Sequence, residues 1–255
     1  MTGTLYLIPC TLDTPGAGGL NLSSGNDLAH IIPDAVQAIT ARLDYFIAEN
    51  AKSTRAYLKR VSVAHPLAKP LQEIQISELN VKTDISTLPN LLTPVKAGRD
   101  AGLISEAGVP AVADPGANLV RLAHQQGIPV KPLVGPSSLL LAVMASGLNG
   151  QSFAFNGYLP TDAGQRAKRI KSLEDRSRAE KQTQLLIETP YRNTALLEAM
   201  ATTCNSNTLI CVATDLTLET ESIMTQPAGK WLADIKAGKP PEIQKKPTVF
   251  LLLAV

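Results

Sequence analysis

Apolar positions fall alternately in short compact runs and in longer stretches at helical spacing. Thr4-Leu5-Tyr6-Leu7-Ile8 is a compact run that stops at Pro9, as expected of a strand feeding a loop. Pro33–Thr40 reads as a short helix, Leu43–Ala48 as a buried strand, and Ser53 as the N-cap of a helix reaching about Arg60. A helix over 84–97, interrupted by Pro89 and Pro94, precedes a strand at Leu103-Ile104. From Ala117 the positions Leu119, Val120, Leu122 and Ala123 recur at helical spacing, and Gly127 stands where a left-handed C-cap belongs. Ile128–Val134 reads as a strand that Pro129 and Pro132 push toward a sheet edge or an irregular course. Gly135-Pro136-Ser137 then opens a helix through Ala145 that closes at Gly147, and its unbroken apolar character predicts burial.

The same alternation continues after the turn Leu148-Asn149-Gly150. It gives a strand Phe153–Tyr158, a charged helix Gly164–Lys181, a strand Gln184–Glu188, a helix Tyr191–Thr202, strands Leu209–Ala213 and Glu221–Gln226, a helix Gly229–Ala237 and a final strand Thr248–Val255. The apolar-rich C-terminal run predicts a central, fully buried strand, and the two strands before the last helix predict a hairpin. Strand and helix alternating in this way imply an α/β protein of two αβα domains with mostly parallel mixed sheets. The turn after residue 148 divides them into 1–148 and 149–255.

Of the 255 residues 44% are hydrophobic and 18% charged, which supports a packed core and excludes a disordered polyelectrolyte. Lys and Arg number 24 against 22 Asp and Glu, so any nucleic-acid binding must come from a local patch rather than from bulk charge. Cys10, Cys204 and Cys211 form neither a disulfide framework nor a zinc motif, and a reducing cytoplasmic compartment is expected. No targeting segment is expected at the N-terminus, and the longest apolar stretch, Leu133–Leu148, is broken and short of the ~20 residues a membrane span needs. His30, His65 and His124 are too scattered for a triad or a metal site, so no metal is expected.

In open α/β sheets, ligands bind beyond the carboxyl ends of strands, where main-chain N–H groups are free. Four loops qualify: Pro9–Leu12, which begins the Gly-, Ser- and Asn-rich stretch 9–27; Ser105–Pro110 with Asp114–Gly116; Glu188–Arg192; and Ala213–Leu216. Their small residues let a ligand lie against the main chain. The run Gly102-Leu103-Ile104-Ser105-Glu106-Ala107-Gly108-Val109-Pro110-Ala111-Val112-Ala113-Asp114-Pro115-Gly116, with Gly135-Pro136-Ser137 after it, resembles the signature of the tetrapyrrole-methylase-like S-adenosylmethionine-dependent methyltransferases. It is most similar to the branch that 2′-O-methylates a cytidine of bacterial small-subunit ribosomal RNA. Further matches are Leu5–Pro9, Gly157-Tyr158-Leu159-Pro160, Glu188–Arg192, Val212-Ala213 through Leu216-Thr217, and Pro247-Thr248-Val249.

The resemblance implies a homodimer that holds S-adenosylmethionine in a cleft between its two domains, largely through main-chain groups. By motif position the cofactor contacts are Pro9, Glu106, Ala107, Gly108, Val109, Pro110, Ser137, Ser138, Thr189, Leu216, Pro247 and Thr248. The branch usually reads Glu-Asp-Thr-Arg where this chain has Glu49-Asn50-Ala51-Lys52, and Arg-Glu where it has Thr214-Asp215. Methyl transfer from a sulfonium needs no protein nucleophile. A hydroxyl acceptor needs a base or cation within about 3 Å; Glu49, Lys52, Glu106 and Asp114 are available, but each also suits a cap or surface pair, and no catalytic residue is assigned.

The concentrated basic segment is Arg166-Ala167-Lys168-Arg169-Ile170-Lys171 with Arg176, Arg178 and Lys181, interleaved with Glu174, Asp175 and Glu180. It reads either as a phosphate-contacting face or as a solvated helix. Three functions follow from the resemblance: a methyltransferase on RNA or another large substrate, a methylase of a small tetrapyrrole acid, and a non-catalytic cofactor-binding protein. A dehydrogenase is disfavoured because no GxGxxG follows the first strand.

Overall fold

The computed structural model describes residues 2–13 and 27–255, so most of the Gly-, Ser- and Asn-rich stretch 9–27 lies outside the described residues. The chain divides into two units, Met1–Ser137 and Ser138–Val255.

In the first unit the strands are β1 (Leu5–Ile8), β2 (Tyr45–Ala48), β3 (Gln75–Glu78), β4 (Ala101–Ile104) and β5 (Val130–Pro132), in the order β3-β2-β4-β1-β5. Every pair is parallel. The helices are α1 (Asp34–Ala41), α2 (Ala51–Val61), α3 (Leu88–Lys96) and α4 (Gly116–Gln125). Alternate strand residues serve opposite faces, as a two-residue period requires. Ile8, Phe46 and Ile104 pack with Val36, Tyr57 and Leu58 of α1 and α2, whereas Leu5, Tyr45 and Leu103 pack with Leu92 and Leu119 of α3 and α4. β5 lies at the edge its prolines require. β3, at the other edge, carries no apolar run, because Gln75, Ile76, Ser77 and Glu78 are partly or fully exposed there.

The N-cap of α2 is Asn50, not Ser53: its Oδ1 accepts the N–H of Lys52 at 2.9 Å and of Ser53 at 3.2 Å. Asn and Asp are equivalent caps, so the exchange of Asp for Asn50 relative to the related motif keeps the helix start intact. Asn50→Ala is expected to cost about 1 kcal/mol, lowering the melting temperature by roughly 2–4 °C, whereas Asn50→Asp leaves it unchanged; thermal scans of the two variants check this.

The second unit contains α5 (Ser138–Ser146), β6 (Phe153–Phe155), α6 (Ala163–Glu180), β7 (Thr183–Ile187), α7 (Asn193–Thr203), β8 (Leu209–Thr214), β9 (Ser222–Pro227), α8 (Ala228–Lys236) and β10 (Thr248–Leu253). The strand order is β6-β7-β10-β8-β9. Only β6–β7 is a parallel pair; β10 runs antiparallel to both β7 and β8, and β8–β9 is the expected hairpin. The C-terminal strand is central and buried, as its apolar run predicts. Trp231 of α8 fills the core beside Phe250 and donates its indole N–H to the Ile210 carbonyl at 2.9 Å.

The division at Ser137/Ser138 differs from the one read at residue 148, because α5 packs on β8, β9 and β10. Thr225 Oγ1 donates to the Ser146 carbonyl at 2.7 Å. The expected burial of α5 is also corrected. Only Ala142 and Ser146 are buried, while Leu140 and Met144 are 54% and 78% exposed. A helix apolar on every side has one face on this sheet and the rest uncovered.

Candidate cofactor and substrate site

Parallel strands send all their carboxyl ends to one edge of a sheet, so in the first unit the loops after β1, β2, β4 and β5 are neighbours. Hydrogen bonds join them. The Cys10 N–H donates to the Gly108 carbonyl at 2.8 Å, the Gly108 N–H to the Thr11 carbonyl at 3.4 Å, and the Glu106 N–H to Glu49 Oε2 at 3.1 Å. Gly135 lies against Pro9 so closely that a Cβ there would come within 2.2 Å of the proline Cβ. Pro9, Glu106, Ala107, Gly108, Val109, Pro110 and Ser137 are thus brought to one edge. Gly108 has φ +68°, and a Cβ on it would meet only Leu12 Cδ2 at 3.2 Å and the Pro136 carbonyl at 3.6 Å. Among the described residues the N–H groups of Ala107 and Val109 have no acceptor.

In the second unit the carboxyl ends of β7 and β8 and the start of β10 share an edge, because β10 is antiparallel to both. Thr189, Leu216, Pro247 and Thr248 therefore lie together. The Asp215 N–H donates to the Pro247 carbonyl at 2.9 Å, and the Thr214 and Thr248 hydroxyls are 3.2 Å apart. Ser138 begins α5.

Five of the six non-glycine residues with positive φ among the described residues lie in these two sets of loops: Ala111, Ala113, Asp215, Thr217 and Lys245. A left-handed β-branched residue such as Thr217, at +71°, is a strained conformation of the kind that collects at ligand sites.

The charged residues of these loops are mostly engaged. Asp114 accepts the N–H of Ala111 and of Gly116, each at 2.7 Å, one on each oxygen; burial still raises its carboxyl above the usual range. Both oxygens being used, it orders the turn rather than serving as a base. Burial pushes the Cys10 thiol far up, which makes it an inert core group. His65 pairs with Asp34 at 2.8 Å, and among the described residues no group of His, Cys, Asp and Glu could hold a metal.

Asn193 escapes sequence reasoning, whereas Asp215, Glu188 and Arg192 stand in loops that it singles out. Asn193 is fully buried and its amide donates to the Ile243 and Lys246 carbonyls and to Thr248 Oγ1, fixing the approach to β10. Asp215 pairs with Lys246 at 3.2 Å, and buried Glu188 with Arg192 at 2.5 Å. An asparagine at the first residue of a helix reads as a cap; here it bonds a segment some 50 residues away, which no local pattern encodes.

No family model matches the chain. It is 28% identical over 234 residues to the ribosomal RNA small subunit methyltransferase I of Escherichia coli O157:H7, covering 92% of this chain and 72% of that protein. With the same-named protein of Xylella fastidiosa the identity is 30% over 213 residues, 84% of this chain and 73% of that one. The chain belongs to the ribosomal RNA small subunit methyltransferase I family. As a member it is a methyltransferase, and S-adenosylmethionine is its methyl donor.

The methyltransferase CobJ aligns over 100% of this family member and 95% of its own chain, with TM-score 0.60 and 16% identity. The cobalt precorrin-4 methyltransferase CbiF aligns over 98% and 94%, with TM-score 0.58 and 13% identity. At these identities the likeness concerns the fold.

Proposed function

We propose that the chain transfers a methyl group to a ribose 2′-hydroxyl of small-subunit ribosomal RNA, in the cytoplasm and as a homodimer. The observation that carries this reading is the 30% identity to the Xylella fastidiosa ribosomal RNA small subunit methyltransferase I across most of both chains. Three free, buried cysteines agree with a reducing compartment, and among the described residues no helix is long and apolar enough to cross a membrane. The exposed Leu140 and Met144 of α5 supply apolar surface for a second copy.

The residues present fit the donor. In the first unit the groups that would hold it are Pro9, Glu106, Ala107, Gly108, Val109, Pro110 and Ser137; in the second, Ser138, Thr189, Leu216, Pro247 and Thr248 are the ones that the related motifs assign to it. The space beside the Gly108 Cα is one that a side chain would fill, and the unengaged N–H groups of Ala107 and Val109 are donors for polar atoms of a nucleoside or amino acid. When bound, S-adenosylmethionine supplies a methyl group already activated on a sulfonium. The chain's part is to bind and orient, and Glu49 contributes by holding the Glu106 N–H and with it the loop after β4.

The test is incubation of the purified protein with methyl-labelled S-adenosylmethionine and small ribosomal subunits that lack the modification. Label is expected in the ribosomal RNA, in a dinucleotide that resists alkaline hydrolysis because its 2′-oxygen is blocked. Label in a small acid-soluble compound instead would favour a tetrapyrrole substrate. Binding of the donor without labelled product in any extract would leave a non-catalytic protein.

A further inference from the structure

The near-neutral net charge of the chain requires that any RNA contact be local, and the ion pairs of α6 divide its basic residues into two groups. In roughly the C-terminal half, from Lys171 onward, Lys171 pairs with Glu174 and Asp175, Arg176 with Glu180, and Arg178 with Glu174 and Asp175. That half is neutralised. Arg166 and Arg169, one turn apart at the N-terminal end, meet no carboxylate among the described residues. Arg166 donates to the Thr161 carbonyl at 3.1 Å and Arg169 to Asn156 Oδ1 at 3.3 Å. Both are thereby tied to the loop after β6, which carries Tyr158.

Next to that loop lies the one after β7, since the Ile187 N–H donates to the Gly157 carbonyl at 3.2 Å. It carries Tyr191. Beside Tyr191 comes the segment before β10, joined by Lys245 N–H to the Pro190 carbonyl at 2.9 Å and by Gln244 Nε2 to the Tyr191 carbonyl at 3.2 Å. Lys245 is exposed and, among the described residues, meets no carboxylate. The order β6-β7-β10 thus sets out two arginines, a tyrosine, a second tyrosine and a lysine along one edge, with strands about 4.8 Å apart. Tyr158 is 59% and Tyr191 73% exposed. Of the carboxylates beside them, Glu188 is buried against Arg192, and Asp162 caps α6 by accepting the Gln165 N–H through one oxygen.

We propose that this edge is a docking surface for single-stranded RNA, with bases stacked on Tyr158 and Tyr191 and phosphates met by Arg166, Arg169 and Lys245. Charge complementarity selects a polyanion, and exposed rings select one whose bases are unpaired and splayed, which distinguishes a single strand from a duplex. The inference rests on the ribosomal RNA reading above, and names the part of this chain that receives the strand flanking the target nucleotide. Thr189, between the two tyrosines in sequence, is one of the residues proposed to hold the methyl donor, so within the second unit the strand would be received beside Thr189.

The experiment measures binding of a fluorescent, unstructured RNA of about ten nucleotides to the full chain at several salt concentrations, by anisotropy. The double variant Tyr158→Ala/Tyr191→Ala is expected to bind at least about 10-fold more weakly with an unchanged salt dependence. Tyr158→Phe/Tyr191→Phe should bind as the unaltered protein does. The triple variant Arg166→Gln/Arg169→Gln/Lys245→Gln should lower the slope of log affinity against log salt by about 2, at ~0.7 for each phosphate no longer neutralised. Lys236→Gln, on α8, is the control and should change neither. Donor affinity by calorimetry and the melting temperature should be the same in all variants, which separates failed docking from failed folding. Undetectable binding by the unaltered protein, alanine variants that bind normally, or variants that alter the oligomeric state while RNA binding persists would each overturn the proposal. RNA bound through this edge with no methyl transferred to ribosomal RNA would instead overturn the proposed function and leave the surface standing; transfer that proceeds with RNA binding indifferent to the variants does the reverse.

Discussion

Gly108→Asp is expected to abolish binding of S-adenosylmethionine, weakening it at least about 100-fold, an effect of roughly 3 kcal/mol. The ligand-free protein should melt within a few degrees of the original. The backbone at Gly108 is left-handed, which costs an L-residue roughly 1–2 kcal/mol and aspartate less than most. The carbonyl and N–H of residue 108 serve Cys10 and Thr11 through the main chain, so those bonds survive the substitution. The new Cβ meets only the flexible end of Leu12 at 3.2 Å and the Pro136 carbonyl at 3.6 Å. What the aspartate does take is the space among the loops after β1, β4 and β5, where the proposed donor would lie. Calorimetric titration gives the affinity and a thermal scan the stability. A fall of more than about 10 °C in melting temperature would make the glycine a structural requirement, and unchanged affinity would remove this loop from the site.

Glu174→Ala is expected to destabilise the second unit by about 3–5 kcal/mol, because it removes the acceptor from a buried set of donors. Glu174 on α6 has no exposed surface. It accepts the Asn205 N–H at 2.7 Å, the Thr208 hydroxyl at 2.5 Å and the Lys171 ammonium at 2.5 Å, fixing the turn between α7 and β8. Burial pushes its carboxyl up, but the bonds from Lys171, Thr208 and Asn205 outweigh that and hold it below its ordinary value. A carboxyl whose folded value is depressed stabilises the fold above its unfolded value and loses that contribution as pH falls through the folded one. The second unit's melting temperature should therefore drop on acidification below about pH 4. The alanine variant should drop less steeply from a lower start, and calorimetry at pH 7 and at pH 3.5 makes the comparison. A loss under about 1 kcal/mol at pH 7 would mean that water replaces the carboxylate at no cost.

The related motifs and the elements lie in short windows of the chain, and there the reading succeeds. The start and end of α4 and its glycine cap, the edge position of β5, the β8–β9 hairpin and the central C-terminal strand follow from periodicity, proline placement and apolar runs. The loops proposed to hold the methyl donor are likewise picked out by Gly, Ala and Pro after strands. Where the reading fails, a partner distant in sequence decides. β3 is polar because one neighbour suffices an edge strand. α5 looks buried because apolar residues surround it, but how many of its faces are covered depends on where the sheet strands run. The ion pairs that silence half of the α6 basic segment depend on side-chain reach along a helix, which spacing permits but does not guarantee.

By itself, then, the sequence determined the α/β class, most elements and the family to which the chain belongs, because local steric preference and apolar periodicity act over a few residues. Tertiary structure alone decided that the second sheet is largely antiparallel, that α5 belongs to it, that Asn193 anchors the entry to β10, and that two tyrosines share an edge with cations that meet no carboxylate among the described residues. Those outcomes depend on strand order, and strand order is set by packing among segments that neighbouring residues do not specify.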